Sequence, residues 1–249
     1  MVIDEEYGSL GTEHVVQHYP TDAAIVTEPT ELRVCIAHRG WYWVDVETIG
    51  RAAHGSRPNE GIDANRLMAH FLVAVDQYAD ELITRDPHPL LGPPSIHVPL
   101  LSGGSSSAVY AARCKAQLER RVLPGENVEQ VVTEVQAIVD GLTQAIPNFQ
   151  AKVTAGFGRP AFETRQDNQI VQQIVQSTTN IIGDTPEFYG ELWWMDSSLL
   201  GEAGTETVII GPKGGGIHSD VEWVDLDSVV QLSQILLHAV VGYCGQITR

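Results

Sequence analysis

Two stretches carry the clearest helical periodicity. Between 127 and 143, Val128, Val131, Val132, Val135, Ile138, Val139 and Leu142 recur at intervals of three and four. That spacing places them on one stripe of a 3.6-residue helix. Between 63 and 83 the same pattern runs through Leu67, Met68, Phe71, Leu72, Val75, Tyr78 and Leu82. Around these helices the period changes to two. Residues 41–49 alternate, with Tyr42, Val44 and Val46 on one face, and 95–101, 114–121 and 149–155 read as further strands. The polar loop 50–58, the Gly/Ser turn 103–107 and Pro124-Gly125 punctuate them. The order from 41 to 155 is therefore β-α-β-β-α-β, the split βαβ arrangement of a two-layer α+β domain with helices on one face.

The flanks read differently. Residues 9–18 predict a short helix, and Ala23-Ala24-Ile25-Val26 is a short apolar run that suits a buried strand. That strand delivers Glu28 to its C-terminal end, where α/β sheets place ligand sites, and Pro29 biases Glu28 towards extended geometry. Residues 32–38 are strand-like, 156–160 (Gly-Phe-Gly-Arg-Pro) read as a linker, and 169–182 as a helix. The run Trp193 to Ser198 leads into a short helix ending near Gly201, and Thr207 to Ile210 is a strand entering a glycine-rich loop. The last helix spans 226–243, with Asp225 or Asp227 as its N-cap. The pattern predicts an α/β domain made of residues 1–38 and 159–249, interrupted by an inserted α+β domain at 39–158.

A hydrophobic content of 43% and a charged content of 19% over 249 residues fit a globular chain with a sizeable core. The net charge of −17 argues against nucleic acid or anionic membrane as partners, because phosphates need clustered Lys and Arg. No apolar run is expected to reach membrane-spanning length. Cys35, Cys114 and Cys244 are odd in number and far apart, which predicts neither a disulfide framework nor a thiolate metal site, and makes a reducing cytoplasm the expected setting.

The candidate chemistry lies in four loops. Asp4-Glu5-Glu6 is either an acidic surface turn or a place where one carboxylate binds a metal and its neighbour takes a proton from water. Glu28 is either a cap or a ligand. His218 follows Gly214-Gly215-Gly216; a phosphate-binding loop is excluded there, since GxxxxGK[ST] is absent. His54, in a Gly/Ser/Arg/Pro loop, is a solvated histidine, an oxyanion donor or a substrate contact. Ser105-Ser106-Ser107 has no nucleophile elbow around it, and Trp193-Trp194 reads as packing or pocket wall.

Together these stretches resemble the M20 metallopeptidase family, which includes acetylornithine deacetylase, succinyl-diaminopimelate desuccinylase, aminoacylase and glutamate carboxypeptidase. Asp4-Glu5-Glu6-x-Gly8-x-x-Gly11 resembles its catalytic turn, and Glu28-Pro29-Thr30 its metal-ligand strand end. Ala53-His54-Gly55-Ser56-x-Pro58 resembles its lid histidine loop, Arg120-Arg121-x-x-Pro124-Gly125-Glu126 its arginine strand, and Gly211-Pro212 to His218-Ser219 its closing ligand loop. The resemblance implies a zinc-peptidase-like catalytic domain, present in part, with a ferredoxin-like lid that mediates a homodimer. It implies Glu5 as general base, Glu6 and His218 on one metal, Glu28 on the other, His54 as oxyanion donor and Arg121 as a grip for a substrate carboxylate. Two divalent ions (zinc, cobalt or manganese) and hydrolysis of an N-acyl amino acid or small peptide follow from it.

The same resemblance implies an earlier His-x-Asp motif and a bridging aspartate, placed in the family ahead of the counterpart of Met1. The chain is thus expected to be a C-terminal portion with an incomplete metal centre and impaired activity. Ala108 and Ala111 also stand where the family's lid turn has Asn and Pro. The competing expectation is a non-catalytic piece, serving as a dimerisation module or as half of a split enzyme.

Overall fold

Short apolar strands and long amphipathic helices alternate along the chain in the computed structural model, which describes residues 2–245. The chain enters through α1 (Leu10–His18), β1 (Ala23–Val26) and β2 (Val34–His38). It then forms β3 (Gly40–Ile49), α2 (Ala64–Ile83), β4 (Ser95–Gly103), β5 (Arg113–Val122), α3 (Val128–Ala145) and β6 (Ala151–Arg159). It continues through β7 (Phe162–Glu163), α4 (Gln169–Ile182), β8 (Phe188–Glu191), α5 (Ser197–Glu202) and β9 (Glu206–Ile209). The hairpin β10 (Gly214–Gly215) and β11 (Trp223–Val224) precedes α6 (Leu226–Gly245). The elements divide into two units: the chain up to Arg39 with the chain from Ala161, and Gly40–Pro160.

The first unit is built on a mixed five-stranded sheet. Its order is β1-β9-β2-β7, with β8 also paired to β2. β1 and β9 run parallel, as do β2 and β8, while β7 is antiparallel to β2. Val34, Cys35 and Ala37 are fully buried because β2 is flanked on both edges, which explains its unbroken apolar run. Cys35, Phe162, Met195 and Ile209 form one core cluster. α4 ends at Gly183, whose φ of 94° is the left-handed conformation glycine supplies at helix C-termini.

α6 starts at Asp225, whose Oδ1 accepts from the Ser228 amide at 2.7 Å. α6 packs on α4, with Ile235 and Ala239 buried and His238 Nδ1 2.9 Å from Ser177 Oγ. The expectation about apolar runs is corrected here: the 20 residues of α6 are long and apolar enough to cross a bilayer by length and composition. The sequence pattern missed this because polar residues such as His238 and Gln231 interrupt it.

The second unit has the strand order β4-β5-β3-β6, all antiparallel. Val44, Val46 and Thr48 of β3 and Cys114, Ala116 and Leu118 of β5 are buried, and α2 and α3 pack against the sheet and each other. Asp63 caps α2 through the Asn65 amide, and Asn127 caps α3 through the Gln130 amide. The stretch expected to be a linker, 156–160, is largely the second half of β6. Gly156 and Gly158 sit where a Cβ would strike the backbone of Trp43 or Trp41, so close strand approach explains these glycines.

Candidate active site

Glu5 and Glu6 lie in an irregular turn that opens at Asp4 (φ 69°) and closes at Ser9 (φ 57°). The Gly8 amide donates to the Asp4 carbonyl at 3.0 Å, and the Leu10 amide to Asp4 Oδ2 at 3.4 Å. Such a turn gives adjacent residues different surroundings: Glu5 is half-buried and Glu6 is exposed. Gly11 is required because any Cβ there would meet the Ile3 backbone at about 2.5 Å.

Glu28 sits in the loop after β1, which is clasped to the loop after β9. Gly211 lies so close that a Cβ would come within 1.8 Å of the Glu28 carbonyl oxygen. Thr30 Oγ1 accepts from the Gly211 amide at 2.9 Å, and the Leu32 amide donates to the Gly211 carbonyl at 3.0 Å. Glu31 and Leu32 both adopt left-handed φ, 58° and 61°, and Glu31 Oε1 accepts from the Gly214 amide at 3.0 Å. Two consecutive non-glycine residues in this region store strain of about 1–3 kcal/mol each, which the clasp must hold. The glycine run before His218 closes a hairpin: Gly214 and Gly216 press on the backbone of Trp223 and Val221. The clasp brings His218 to Glu6, with Nε2 3.3 Å from Oε2.

Asp196, which the sequence pattern passed over, joins this group. It is buried at the start of α5, and its Oδ2 accepts a short hydrogen bond from the Thr12 hydroxyl. Oδ1 is buried without a hydrogen-bond partner. The only signal in the sequence was an acid directly after Trp193-Trp194-Met195, in a run read as leading into a short helix. Beside it His38 is fully buried; its Nδ1 donates to the Arg39 carbonyl at 3.0 Å and Nε2 faces Ser197 Oγ at 2.8 Å. Burial pushes the His38 imidazole down to about 4, so it stays neutral.

The electrostatics follow from crowding of like charge. Burial first, then Glu28, Asp196 and Glu6, push the Glu5 carboxyl up to about 7. Burial, Asp196 and Glu6 likewise raise Glu28. Oxygen and imidazole donors without thiolates suit a hard or borderline divalent ion, and the orphaned Asp196 oxygen fits a missing positive charge. The chemistry fits, but the convergence does not: among the described residues, no three His, Cys, Asp or Glu side chains are grouped so as to hold a metal.

His54 and Arg121 belong to the second unit. His54 is exposed, and its Nδ1 accepts from the Ser56 amide at 3.2 Å, so Nε2 carries the proton of the neutral ring. Residue 54 bridges to Val109 of the turn that bears Ala108. Arg121 is opposite Trp41 across β3, with Nε 2.6 Å from Glu119 Oε1. The adjacent Arg120 points into the core instead and is fully buried.

The peptidase dimerisation domain of the M20 family matches residues 36–146. The chain is 27% identical over 250 residues to the acetylornithine deacetylase of Myxococcus xanthus, covering 98% of this chain and 64% of that protein. With the acetylornithine deacetylase of Vibrio campbellii the figures are 25% identity, 97% and 63%. Among solved structures, aminopeptidase PepT from Bacillus cereus superposes with a TM-score of 0.78 at 15% identity, over 96% of this chain and 62% of that one. An M20 family metallo-carboxypeptidase from Sulfolobus solfataricus gives 0.65 at 14% identity, over 92% and 65%. The chain thus spans under two thirds of the length of these relatives. Its mixed α/β fold with a dimerisation lid is similar to theirs, and residues 36–146 match the M20 family's dimerisation domain.

Proposed function

We propose that this chain contributes catalytic and lid residues to a metal-dependent amidohydrolase of the M20 type, acting on N-acyl amino acids or small peptides. One observation carries the reading: three loops distant in sequence bring Glu5, Glu6, Glu28 and His218 to one site in a single unit. Glu6 and His218 would hold one divalent ion and Glu28 a second, in the zinc, cobalt or manganese class. Such ions, when bound, lower the pKa of water and polarise a carbonyl. Glu5 takes the proton of the attacking water and returns it to the leaving amine, as a half-buried carboxylate at the cluster's centre is placed to do. His54 donates its Nε2–H to the developing oxyanion, and Arg121 pairs with the carboxylate of the amino acid. The resemblance to deacetylases favours an acetylated amino acid, and the dimerisation domain favours a homodimer through the lid.

Elemental analysis of zinc and manganese on the purified chain, with hydrolysis assays on N-acetylornithine and dipeptides, tests this. The reading predicts bound ions, hydrolysis of at least one substrate class, and loss of turnover in Glu5→Gln by about 10² or more. No ion and no turnover would support the second reading, a dimerisation module or half of a split enzyme. The poor convergence of donors among the described residues is what favours that alternative.

A further inference from the structure

One end of the lid sheet carries an aromatic cluster. Strand alternation puts Trp41 and Trp43 of β3 on the face opposite the buried Val44 and Val46. Their ring centroids lie 4.7 Å apart, and Phe157 of β6 meets them edge-on at 5.5 and 6.4 Å. Phe157 remains 43% exposed, so the cluster keeps an apolar wall in water. On β5, Arg121 stands opposite Trp41 and Glu119 opposite Trp43. One carboxylate serves both neighbours: Glu119 Oε1 accepts from Arg121 Nε at 2.6 Å, and Oε2 from Trp43 Nε1 at 3.2 Å. Among the described residues, Nη1 and Nη2 of Arg121 make no hydrogen bond or ion pair. The guanidinium is therefore clamped by one edge while its outer pair of N–H groups stays open, the geometry that holds a carboxylate bidentately. Arg159 of β6 flanks Trp41 from the other side and stacks on Phe157 at 4.9 Å. The acids farther along β3 are already matched, Asp45 with Gln117 and Glu47 with Arg113. In a chain of net charge −17, two arginines beside a single glutamate make a local pull on an anion, next to an apolar wall.

We propose that this end of the lid sheet is a subsite for N-acyl amino acids with an aromatic side chain: Nη1 and Nη2 of Arg121 hold the carboxylate, Trp41, Trp43 and Phe157 take the ring, and Glu119 is the positioning residue that fixes both. The proposal rests on the hydrolase reading and narrows its substrate class. Anchoring Nε removes rotamers of a long side chain before the ligand arrives, so less ordering is lost on binding. The same hydrogen bonds tie the grip to the wall, because one Glu119 carboxylate sets both the guanidinium and the Trp43 indole. A side-chain ammonium, as in acetylornithine, is disfavoured here. It would be brought towards the guanidinium groups of Arg121 and Arg159, while both Glu119 oxygens already accept.

Titration calorimetry of the whole chain in chelator tests the subsite apart from turnover, with N-acetylphenylalanine, its amide and N-acetylornithine as probes. N-acetylphenylalanine should bind about tenfold or more tightly than the amide, which lacks the charge for Arg121. It should exceed N-acetylornithine by a similar factor. Arg121→Lys keeps the charge but not the fork, and should weaken the acid about tenfold while leaving the amide within about twofold. Glu119→Gln should weaken the acid about 3–10-fold and spare the amide; a merely structural role would weaken both alike. Should Glu119→Gln fail to fold, Glu119→Asp, which keeps the charge but shortens its reach, must give the same selective loss. Phe157→Ala, at the most exposed ring, should erase most of the preference for N-acetylphenylalanine over N-acetylornithine. Equal binding of the acid and its amide, equal binding of the two acetylated amino acids, or no binding of N-acetylphenylalanine up to about 10 mM overturns the proposal. Hydrolysis with MnCl2 added separates the two readings. Turnover of N-acetylornithine without selective binding of N-acetylphenylalanine sinks the subsite and leaves the hydrolase. Selective binding with no turnover of any probe sinks the hydrolase and leaves the subsite.

Discussion

Two clusters of charged side chains, one in each unit, are built on opposite plans. In the lid unit Arg120, fully buried, donates to Glu126 Oε1 at 2.6 Å, to the Arg121 carbonyl and to the Tyr78 hydroxyl. The second Glu126 oxygen accepts from the Leu123 amide, Tyr78 donates to Glu134, and Arg85 closes the set on Glu134 at 2.8 Å. Two guanidinium groups face two carboxylates. In the other unit Glu5 is crowded by Glu28, Asp196 and Glu6, Glu6 pairs with the His218 imidazole, and one Asp196 oxygen is buried without a hydrogen-bond partner. A balanced network holds a fold together on its own terms. An unbalanced one is stable only with something added, and this is how a structural cluster is told from a functional one.

The first way to break the comparison is to unbalance the lid. Arg120→Met leaves Glu126 and the Tyr78 hydroxyl without their shared donor in a buried setting. Removing one partner of such a set costs about 3–5 kcal/mol. Urea unfolding followed by circular dichroism should show that loss, and a change below about 1 kcal/mol would mean the network is more hydrated than its burial indicates.

The second way is through pH, where the unit bearing the cluster is squeezed from both sides. His38 has its folded pKa held near 4, below its ordinary value of 6.5. Its contribution is complete above pH 6.5 and is lost as pH falls towards 4. By linkage the loss is about 3 kcal/mol at most. Glu5 has the opposite sign: its carboxyl is raised from 4.5 to about 7, so its contribution is present below pH 4.5 and is lost as pH rises through 7. Because Glu5 is only half-buried, solvent screening reduces that loss to about 1–2 kcal/mol. Unfolding midpoints measured from pH 4 to pH 8 in chelator should therefore pass through a maximum. Saturating Mn2+ should flatten the alkaline limb alone, since only the carboxylates repel one another; an unaltered alkaline limb would break the argument.

Removing a charge should then have opposite effects in the two clusters. Glu5→Gln or Glu28→Gln, at pH 8 in chelator, should stabilise the protein by about 1 kcal/mol, because repulsion is relieved where burial raised both groups. Only Glu28→Gln, which removes an assigned ligand, should lose the stabilisation that Mn2+ gives the wild type. If they are destabilised instead, the cluster is held by hydrogen bonds unrelated to an ion.

How far each plan was legible in the sequence follows from its chemistry. The lid fold could be read from Val128 to Leu142 and Leu67 to Leu82 because amphipathic period is local. The strand at Ala23–Val26 and the placement of Glu28 at its end were equally readable. β7, β8 and the β10–β11 hairpin were not: at two to four residues they carry no period, and pairing across the sheet makes them strands. The glycine run before His218 was visible, but its cause, contact with Trp223 and Val221, is tertiary. Asp196 was invisible for the same reason. Nothing in the run from Trp193 to Ser198 shows that one carboxylate oxygen meets Thr12, far away in sequence, and the other meets nothing. The Arg120-Arg121 pair illustrates the limit from the other side. Strand alternation alone puts one arginine in the core and the other on the open face, but choosing between them needs the register with Trp41 and Tyr42.

The smallest effect is the control for the whole comparison. Arg57 and Glu60 form an ion pair at 3.0 Å, as short as many in the buried clusters, but their side chains are 64% and 60% exposed. Water screens such a pair, and ordering two long side chains offsets what attraction remains. Arg57→Ala should shift the urea midpoint by no more than about 0.5 kcal/mol, and 0.5 M salt should erase the difference between variant and wild type. If Arg57→Ala matched Arg120→Met, charge pairing would stabilise this protein regardless of burial, and the contrast between the clusters would lose its basis. A near-null result, beside a large loss at Arg120 and a gain at Glu5, would show that desolvation sets the magnitude and charge balance sets the sign.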